Sequence, residues 1–209
     1  MSIIDRVAPF SYTHAEALGW LYRILRWRPG PLSVAEVGTW KGGSAIVMAH
    51  AIVAAGGGRL LCADTWGEMN GKDGAKAVGD SVRAEFESNV RECLGAFVQT
   101  KKGKSPDTVL RWNFRDTSSP LRIYVDSRGS PHAAGFVDDR SLDLVFVDGD
   151  HRYDPFRLDV KTWEPKMKPG AIMCGHDYRG EPSVAEAVHE RFGSRTVTEM
   201  PGDVWAVYV

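Results

Sequence analysis

Cysteine is scarce in this sequence of 209 residues, and its scarcity excludes two classes at once. Cys62, Cys93 and Cys174 stand far apart, and two of them lie in apolar runs. Three such residues make neither a disulfide framework nor a CxxC zinc site, and they read as buried thiols in a reducing, cytoplasmic setting. Long hydrophobic runs are absent as well. No apolar stretch approaches the ~20 residues of a membrane span, so no membrane association is expected. The first 14 residues, MSIIDRVAPFSYTH, lack the charged-then-apolar layout of a secretion signal. Neither sign of charge dominates. Lys and Arg number 26 and Asp and Glu 27, a net charge of −1, which excludes a basic face that tracks nucleic-acid phosphates. Internal repeats and low-complexity stretches are also missing.

What remains is a globular composition, 43% hydrophobic and 25% charged, enough to bury one core. The length suits a single domain over residues 1–209. Helical spacing of Leu18, Leu21, Tyr22 and Leu25 predicts a helix within 12–27. A strand at 33–37, a glycine-rich loop and an apolar helix at 44–55 follow, then a strand at 59–63. Residues 65–120 are polar, hold one clear helix at about 80–94, and are too long for an ordinary connection. They read as an inserted lid. Strands are expected at 121–125, at 142–147 (an apolar run that suits burial on both faces) and at 171–174. Helices are expected at 131–136, 153–163 and 182–192. Lys168-Pro169-Gly170 reads as a turn, and strands at about 194–199 and 203–209 flank the hairpin signal Pro201-Gly202-Asp203. The fold class predicted is α/β, a doubly wound, mostly parallel, seven-stranded Rossmann-like sheet with a C-terminal β-hairpin.

Ligands of open α/β sheets bind beyond the carboxyl ends of the strands. Five successive strands here end in polar groups: Glu36 and Gly38; Asp64; Asp126 and Ser127, with Ser130 close behind; Asp148, Asp150 and His151; His176 and Asp177. Helix capping explains one such residue more easily than five, and a ligand site along this edge is expected. The first loop, Glu36-Val37-Gly38-Thr39-Trp40-Lys41-Gly42-Gly43-Ser44, is spaced GxxxGG and not GxGxxG, and Glu36 would repel a pyrophosphate. Asp64 is placed to accept hydrogen bonds from ribose hydroxyls.

ExGxxxGxS after the first strand, an acid after the second, LVFVDGDH at the fourth and PGAIMCGHDY at the fifth resemble class I S-adenosylmethionine-dependent methyltransferases, in the branch written DGDHxY…PGGxxxxHDY. The resemblance covers about 33–64 and 121–209. One departure is Ala171, where the pattern has a second glycine. The resemblance implies that Gly38 and Gly42 let the backbone approach the methionine part of S-adenosylmethionine. Glu36 would attract its ammonium group and Ser44 would cap the helix beside its carboxylate. Asp64 would hold the ribose. Ser130, with Ser127 or Asp126 as rivals, would sit near adenine, and Trp66 would flank the adenine ring or pack in the core.

The site also resembles metal-dependent O-methyltransferases, which implies a divalent metal (Mg²⁺ or Mn²⁺) on Asp148, His176 and Asp177. The imidazole of His176 departs from the oxygen ligand usual there and brings Mn²⁺, Fe²⁺ or Zn²⁺ into view. Without an ion, His176 and Asp177 would bond each other. His151, three residues after Asp148, stands where the resemblance places the base that takes the acceptor proton; its alternative is a turn residue bonded to Asp150. His14, His50, His132 and His189 read as structural or surface residues. The expected activity is O-methylation of a small hydroxylated molecule, with no nucleic-acid partner and a homodimer left open. The rivals are a nicotinamide-dependent oxidoreductase, a non-catalytic nucleotide-binding protein on the same fold, and a metal-dependent hydroxylase or hydrolase.

Overall fold

A computed structural model describes residues 1–66, 75–94, 97–99, 108–112, 121–193 and 197–209. In chain order the elements are α1 (Ile3–Val7), α2 (Ala15–Arg26), β1 (Leu32–Val37), α3 (Gly43–Ala54), β2 (Gly58–Ala63), α4 (Ala75–Leu94), β3 (Phe97–Gln99), β4 (Thr108–Trp112), β5 (Leu121–Asp126), α5 (Ser130–Ala134), β6 (Leu142–Val147), α6 (Tyr153–Trp163), β7 (Met167–Gly175), α7 (Pro182–Phe192), β8 (Thr198–Met200) and β9 (Val204–Tyr208). Among the described residues the strands form one sheet in the order β3-β4-β5-β2-β1-β6-β7-β9-β8. The five strands from β5 to β7 are parallel, and β9 and β8 close the sheet as an antiparallel hairpin. These are the seven strands expected. The additional pair, β3 and β4, joins antiparallel at the far edge.

Period-two alternation along each strand divides the core into two layers. Val34, Leu60, Leu144 and Phe146 face α2, α3 and α4. Ala35, Leu61, Val145 and Val147 face the side of α5, α6 and α7. The helix α3 is apolar on nearly every face because it lies between the sheet and two other helices. It is released by Gly56, Gly57 and Gly58, all at positive φ.

Three expectations need correction. Residues 75–94 are not simply a lid: Phe86 and Val90 of α4 are fully buried in the core, each worth roughly 1.5–3 kcal/mol of burial. The helix also starts at 75, not at about 80. The polar motifs at 70–74 and 101–104 lie outside the described residues. Lys168-Pro169-Gly170 is not a turn between elements but an irregularity inside β7. Leu142 pairs with Met167 and Leu144 with Ile172, so the extra residues bulge out, with Gly170 at φ +79°. The apolar run of β6 is interrupted by Asp143, which accepts from the Ser33 N–H at 2.8 Å and from Lys168 Nζ at 2.7 Å. The three cysteines are free and buried, and no described helix is long and apolar enough to cross a membrane.

Candidate active site

The carboxyl ends of β1, β2, β5, β6 and β7 open into one cleft of about 920 Å³, at the upper end of the range for small-molecule sites. The first wall is the glycine loop. Gly38 has φ +81°, and a Cβ there would lie 2.1 Å from the Asp148 carbonyl oxygen. Gly42 has φ +88°, and a Cβ would lie 2.8 Å from the Phe86 ring. Gly38 lines the cleft and Gly42 does not. Both glycines are therefore required by the protein's own packing, against the end of β6 and against α4.

Glu36 is set back from the position expected of it. The alternation of β1 turns its side chain toward α3, where it is 0% exposed and outside the cleft lining. The Ser44 hydroxyl donates to Glu36 Oε1, and Oε2 is buried without a partner. Burial pushes the Glu36 carboxyl up to about 8, against the opposing pull of the Ser44 and Thr39 hydroxyls. Burial thus favours the neutral form of the group in the ligand-free protein. Ser44 lines the cleft but does not cap α3. The cap position is Gly42, which has no side chain to bond, and Ser44 is the second residue of the helix, its hydroxyl donating to Glu36.

Asp64 organises the next wall. Its Oδ2 accepts from the Trp40 N–H at 2.7 Å and its Oδ1 from the Trp66 N–H at 2.8 Å. The Trp66 indole donates to the Trp40 carbonyl at 2.8 Å. Both tryptophans have positive φ, +48° and +42°. Burial raises the Asp64 carboxyl, and the backbone donors oppose that rise. Trp66 is 5% exposed, packs 5.3 Å from Phe86 between ring centroids, and still lines the cleft. The core and ring-flanking readings of it are thus compatible.

At the end of β5 the rivals separate. Asp126 is fully buried and accepts from the Arg128 N–H and His132 Nδ1, both at 2.9 Å, so it holds its own loop together. Ser127 is outside the cleft lining and Ser130 is part of it. The Ser130 Oγ accepts from the Trp163 indole at 2.7 Å and its hydroxyl donates to Asp159. Asp159 is 8% exposed and lines the cleft.

The opposite end of the cleft holds an acid–imidazole cluster. Asp177 Oδ2 lies 3.1 Å from His151 Nε2 and 3.1 Å from His176 Nδ1. Asp148 Oδ1 lies 3.8 Å from His151 Nε2 and 3.9 Å from His176 Nδ1. The His151 Nε2 is buried and forms a well-directed hydrogen bond to neither carboxylate. The carboxylates of Asp148 and Asp177 raise the His151 imidazole despite partial burial. Burial would lower His176, but Asp177 and Asp148 outweigh it. The bond from His176 holds the Asp177 carboxyl below its ordinary value.

The donor atoms that converge within 4.8 Å belong to Asp148, His151 and Asp177. The expected set Asp148, His176 and Asp177 stands beside it, since His176 Nδ1 lies as close to the Asp177 carboxylate as His151 Nε2 does. Asp177 sits at φ +58°, a conformation Asp tolerates better than most residues, and its carboxylate meets both imidazoles. His176 is 6% exposed, and its Nε2 meets His14 Nδ1 at 3.3 Å. Asp150, considered as an orienter of His151, instead clamps Arg152, accepting its N–H and its Nε at 3.0 Å. The mixed donor set of one imidazole and two carboxylates suits Mn²⁺, Fe²⁺ or Zn²⁺ as well as Mg²⁺.

Three cleft residues, Tyr12, Thr13 and Trp40, and His14 behind the cluster escape a sequence reading. Thr13 donates to Asp148 Oδ2 at 3.3 Å across 135 positions, and His14 reaches His176, neither with any local signal. Tyr12 and Trp40 stand 6.2 Å apart at the mouth, 80% and 37% exposed. Asp159 did carry a signal, as an acid among the apolar positions Phe156, Val160 and Trp163 of α6.

Residues 35–178 match the family described as methyltransferase domain, and the chain belongs to that family. Its fold resembles the O-methyltransferase TomG from Streptomyces achromogenes, involved in tomaymycin synthesis and solved with SAM. That likeness is at 16% identity and a TM-score of 0.60, over 100% of this chain and 90% of that one. It also resembles an O-methyltransferase from Bacillus cereus solved with SAH, at 12% identity and a TM-score of 0.56, over 100% and 91% of the two chains. A SAM-dependent O-methyltransferase from Thermotoga maritima matches at 13% identity and a TM-score of 0.58, over 100% and 72%. Among curated proteins, 41 residues are 39% identical to the uncharacterized protein y4gI of Sinorhizobium fredii. They span 20% of this chain and 4% of that relative.

Proposed function

We propose that this member of the methyltransferase-domain family transfers a methyl group from S-adenosylmethionine to the hydroxyl of a small acceptor. The observation that carries the proposal is the shared cleft. A ribose-type acid, Asp64, lines it beside the glycine loop, and the cluster of Asp148, His151 and Asp177 lines it at the ends of β6 and β7. Its volume of about 920 Å³ suits a nucleoside cofactor and a small acceptor together. A protein that only bound a nucleotide would have no need of the second cluster.

In this reading the glycine loop and the start of α3 hold the methionine part, and Asp64 accepts from the ribose with the lone pairs left by Trp40 and Trp66. S-adenosylmethionine, when bound, supplies a sulfonium methyl whose bonding pair stays on sulfur as the new O–CH₃ bond forms. The His151 imidazole takes the proton of the acceptor hydroxyl, and Asp148 and Asp177, which lie beside its Nε2, stabilise the imidazolium that results. Holding the acceptor oxygen in line with the methyl supplies most of the acceleration. The convergence of Asp148, His151 and Asp177 donor atoms within 4.8 Å favours a second form of this reading, in which the three would hold a divalent ion that eases loss of the hydroxyl proton. His151 is then a ligand and not the base.

Isothermal titration with S-adenosylmethionine and S-adenosylhomocysteine, with NAD⁺ as control, tests the proposal. Micromolar binding of the two sulfur compounds and none of NAD⁺ is expected. Failure of both to bind overturns it. Titration with Mn²⁺ alone separates the two forms: tight binding lost in Asp177→Asn supports the metal form, and no binding leaves His151 as base.

A further inference from the structure

We propose that Asp159 reads the nucleobase, accepting a hydrogen bond from the exocyclic amino group of adenine and so disfavouring a 6-oxopurine. The inference rests on the S-adenosylmethionine reading above and names the part of the site that selects its base. Asp159 lies in the middle of α6, 8% exposed, with its side chain in the cleft wall. The cleft lining carries Pro155 and Leu158 from the same helix and Pro131 from α5, with Arg128 and Asp150 also in the wall. These apolar surfaces with an acceptor held in place beside them fit a flat heterocycle that carries a donor.

The carboxylate is fixed but not used up. The Trp163 indole donates to Ser130 Oγ at 2.7 Å, which leaves the Ser130 hydrogen for Asp159. A carboxylate offers about four acceptor positions, and Ser130 fills one. Among the described residues no cation pairs with it, and the nearby charge that bears on it is Asp150, of like sign. Gly149 flanks the carboxylate without a side chain; a Cβ there would lie 3.5 Å from Asp159 Oδ2. Burial raises the carboxyl to about 6, so above neutral pH it is an acceptor only. A buried carboxylate without a cation is costly in the free protein, and a ligand N–H offsets that cost. An oxygen at C6 of the base would instead face a negative oxygen. The position agrees with strand order: Asp64 ends β2, Gly129 and Ser130 follow its neighbour β5, and Asp159 adjoins Ser130, so ribose acid and base acid lie along one wall.

The test uses the thioether products as probes: S-adenosylhomocysteine and S-inosylhomocysteine, titrated into wild type and Asp159→Asn at pH 8. Wild type should prefer the adenine compound by at least about 30-fold, the scale of a charge-assisted hydrogen bond. In Asp159→Asn the amide keeps an acceptor for Ser130 and offers a donor to O6. The preference should fall to within about threefold or invert. A merely structural Asp159 would weaken both compounds alike. A wild-type preference that survives unchanged in the variant, or no preference in wild type, overturns the inference while the cofactor reading stands. Binding of neither compound by wild type overturns both. The variant removes a buried charge, so it should melt no lower than wild type, and the wild-type preference tests the inference without any variant.

Discussion

Replacing Glu36 by Gln should make the protein less sensitive to pH, and the size of the effect follows from its burial. In the fold the carboxyl holds its proton up to about 8, against 4.5 when exposed. The folded state therefore binds one proton more than the unfolded state between those values. Stability from this group is present below pH 4.5, declines as pH rises, and levels off above 8. The interval corresponds to roughly 5 kcal/mol, a large share of the 5–15 kcal/mol typical of a domain. Gln is close in shape to the protonated acid and keeps an acceptor for the Ser44 hydroxyl, so the variant should match wild type near pH 5 and exceed it by several kcal/mol at pH 8.5.

Urea unfolding at pH 5, 6.5 and 8.5, followed by tryptophan fluorescence, measures this difference. Other groups tilt the wild-type curve in the same direction. Asp159, raised from 3.8 to about 6, contributes stability that is full below 3.8 and lost as pH rises through about 6. His151 and His176, both raised, contribute stability that is full below 6.5 and lost as pH climbs through their folded values. They are common to both proteins and cancel in the difference. A difference that stays flat within about 1 kcal/mol from pH 5 to 8.5 would refute the argument, because Glu36 would then be ionised inside the fold.

Three further outcomes are expected. Gly38→Ala should destabilise by at least about 3 kcal/mol, read as a lower urea midpoint, since its Cβ would meet the Asp148 carbonyl at 2.1 Å in a left-handed backbone. Asp64→Ala should abolish measurable S-adenosylhomocysteine binding by titration calorimetry; retention of wild-type affinity would remove Asp64 from the cofactor site. His151→Asn should leave that affinity nearly unchanged and lower kcat about 10²–10⁴-fold for any acceptor found by screening; an unchanged kcat would exclude it as base.

Much of the fold was legible because its elements are amphipathic or bounded by strong signals. The spacing in α6 and α7, the glycines that bound α3, and Pro201-Gly202-Asp203 between β8 and β9 each follow from local chemistry. The cleft was legible for a related reason: in a parallel sheet the polar residues that close each strand collect along one edge. What failed was non-local or conformational. Asp177 at φ +58° brings both His151 and His176 to one carboxylate, and no spacing rule encodes that turn. Thr13 and His14 arrive from the N-terminal segment. Glu36 read as an acid closing the first strand at the ligand edge, yet the alternation that points Val34 toward α3 points Glu36 there too. That signal was available, and it lies in the strand and not in the loop motif.

Asp64 joins the two halves of this picture. Left-handed backbone costs an L-residue roughly 1–2 kcal/mol, and bulky side chains adopt it rarely. Trp40 and Trp66 both do so, and both are held by the same carboxylate, one on each oxygen. The indole of Trp66 then closes the ring of contacts on the Trp40 carbonyl. One buried acid thus fixes two indoles: one against Phe86 in the core, and the other 6.2 Å from Tyr12 at the mouth. Strain of this kind persists only where the surroundings over-determine it, and here it is over-determined by a group with lone pairs still turned to the cleft. A ligand hydroxyl bound to Asp64 would therefore bear on the mouth as well as on itself. The effect of Asp64→Ala on affinity must combine a lost ribose contact with a released Trp40. Asp64→Asn keeps one acceptor oxygen but offers a donor where a backbone N–H already points, so it should free one tryptophan and not both. Trp40→Ala leaves the acid in place and removes only the displayed ring. If the mouth matters to the acceptor alone, Trp40→Ala should raise KM and leave S-adenosylhomocysteine affinity intact, and a loss of that affinity would show that the ring covers the cofactor instead.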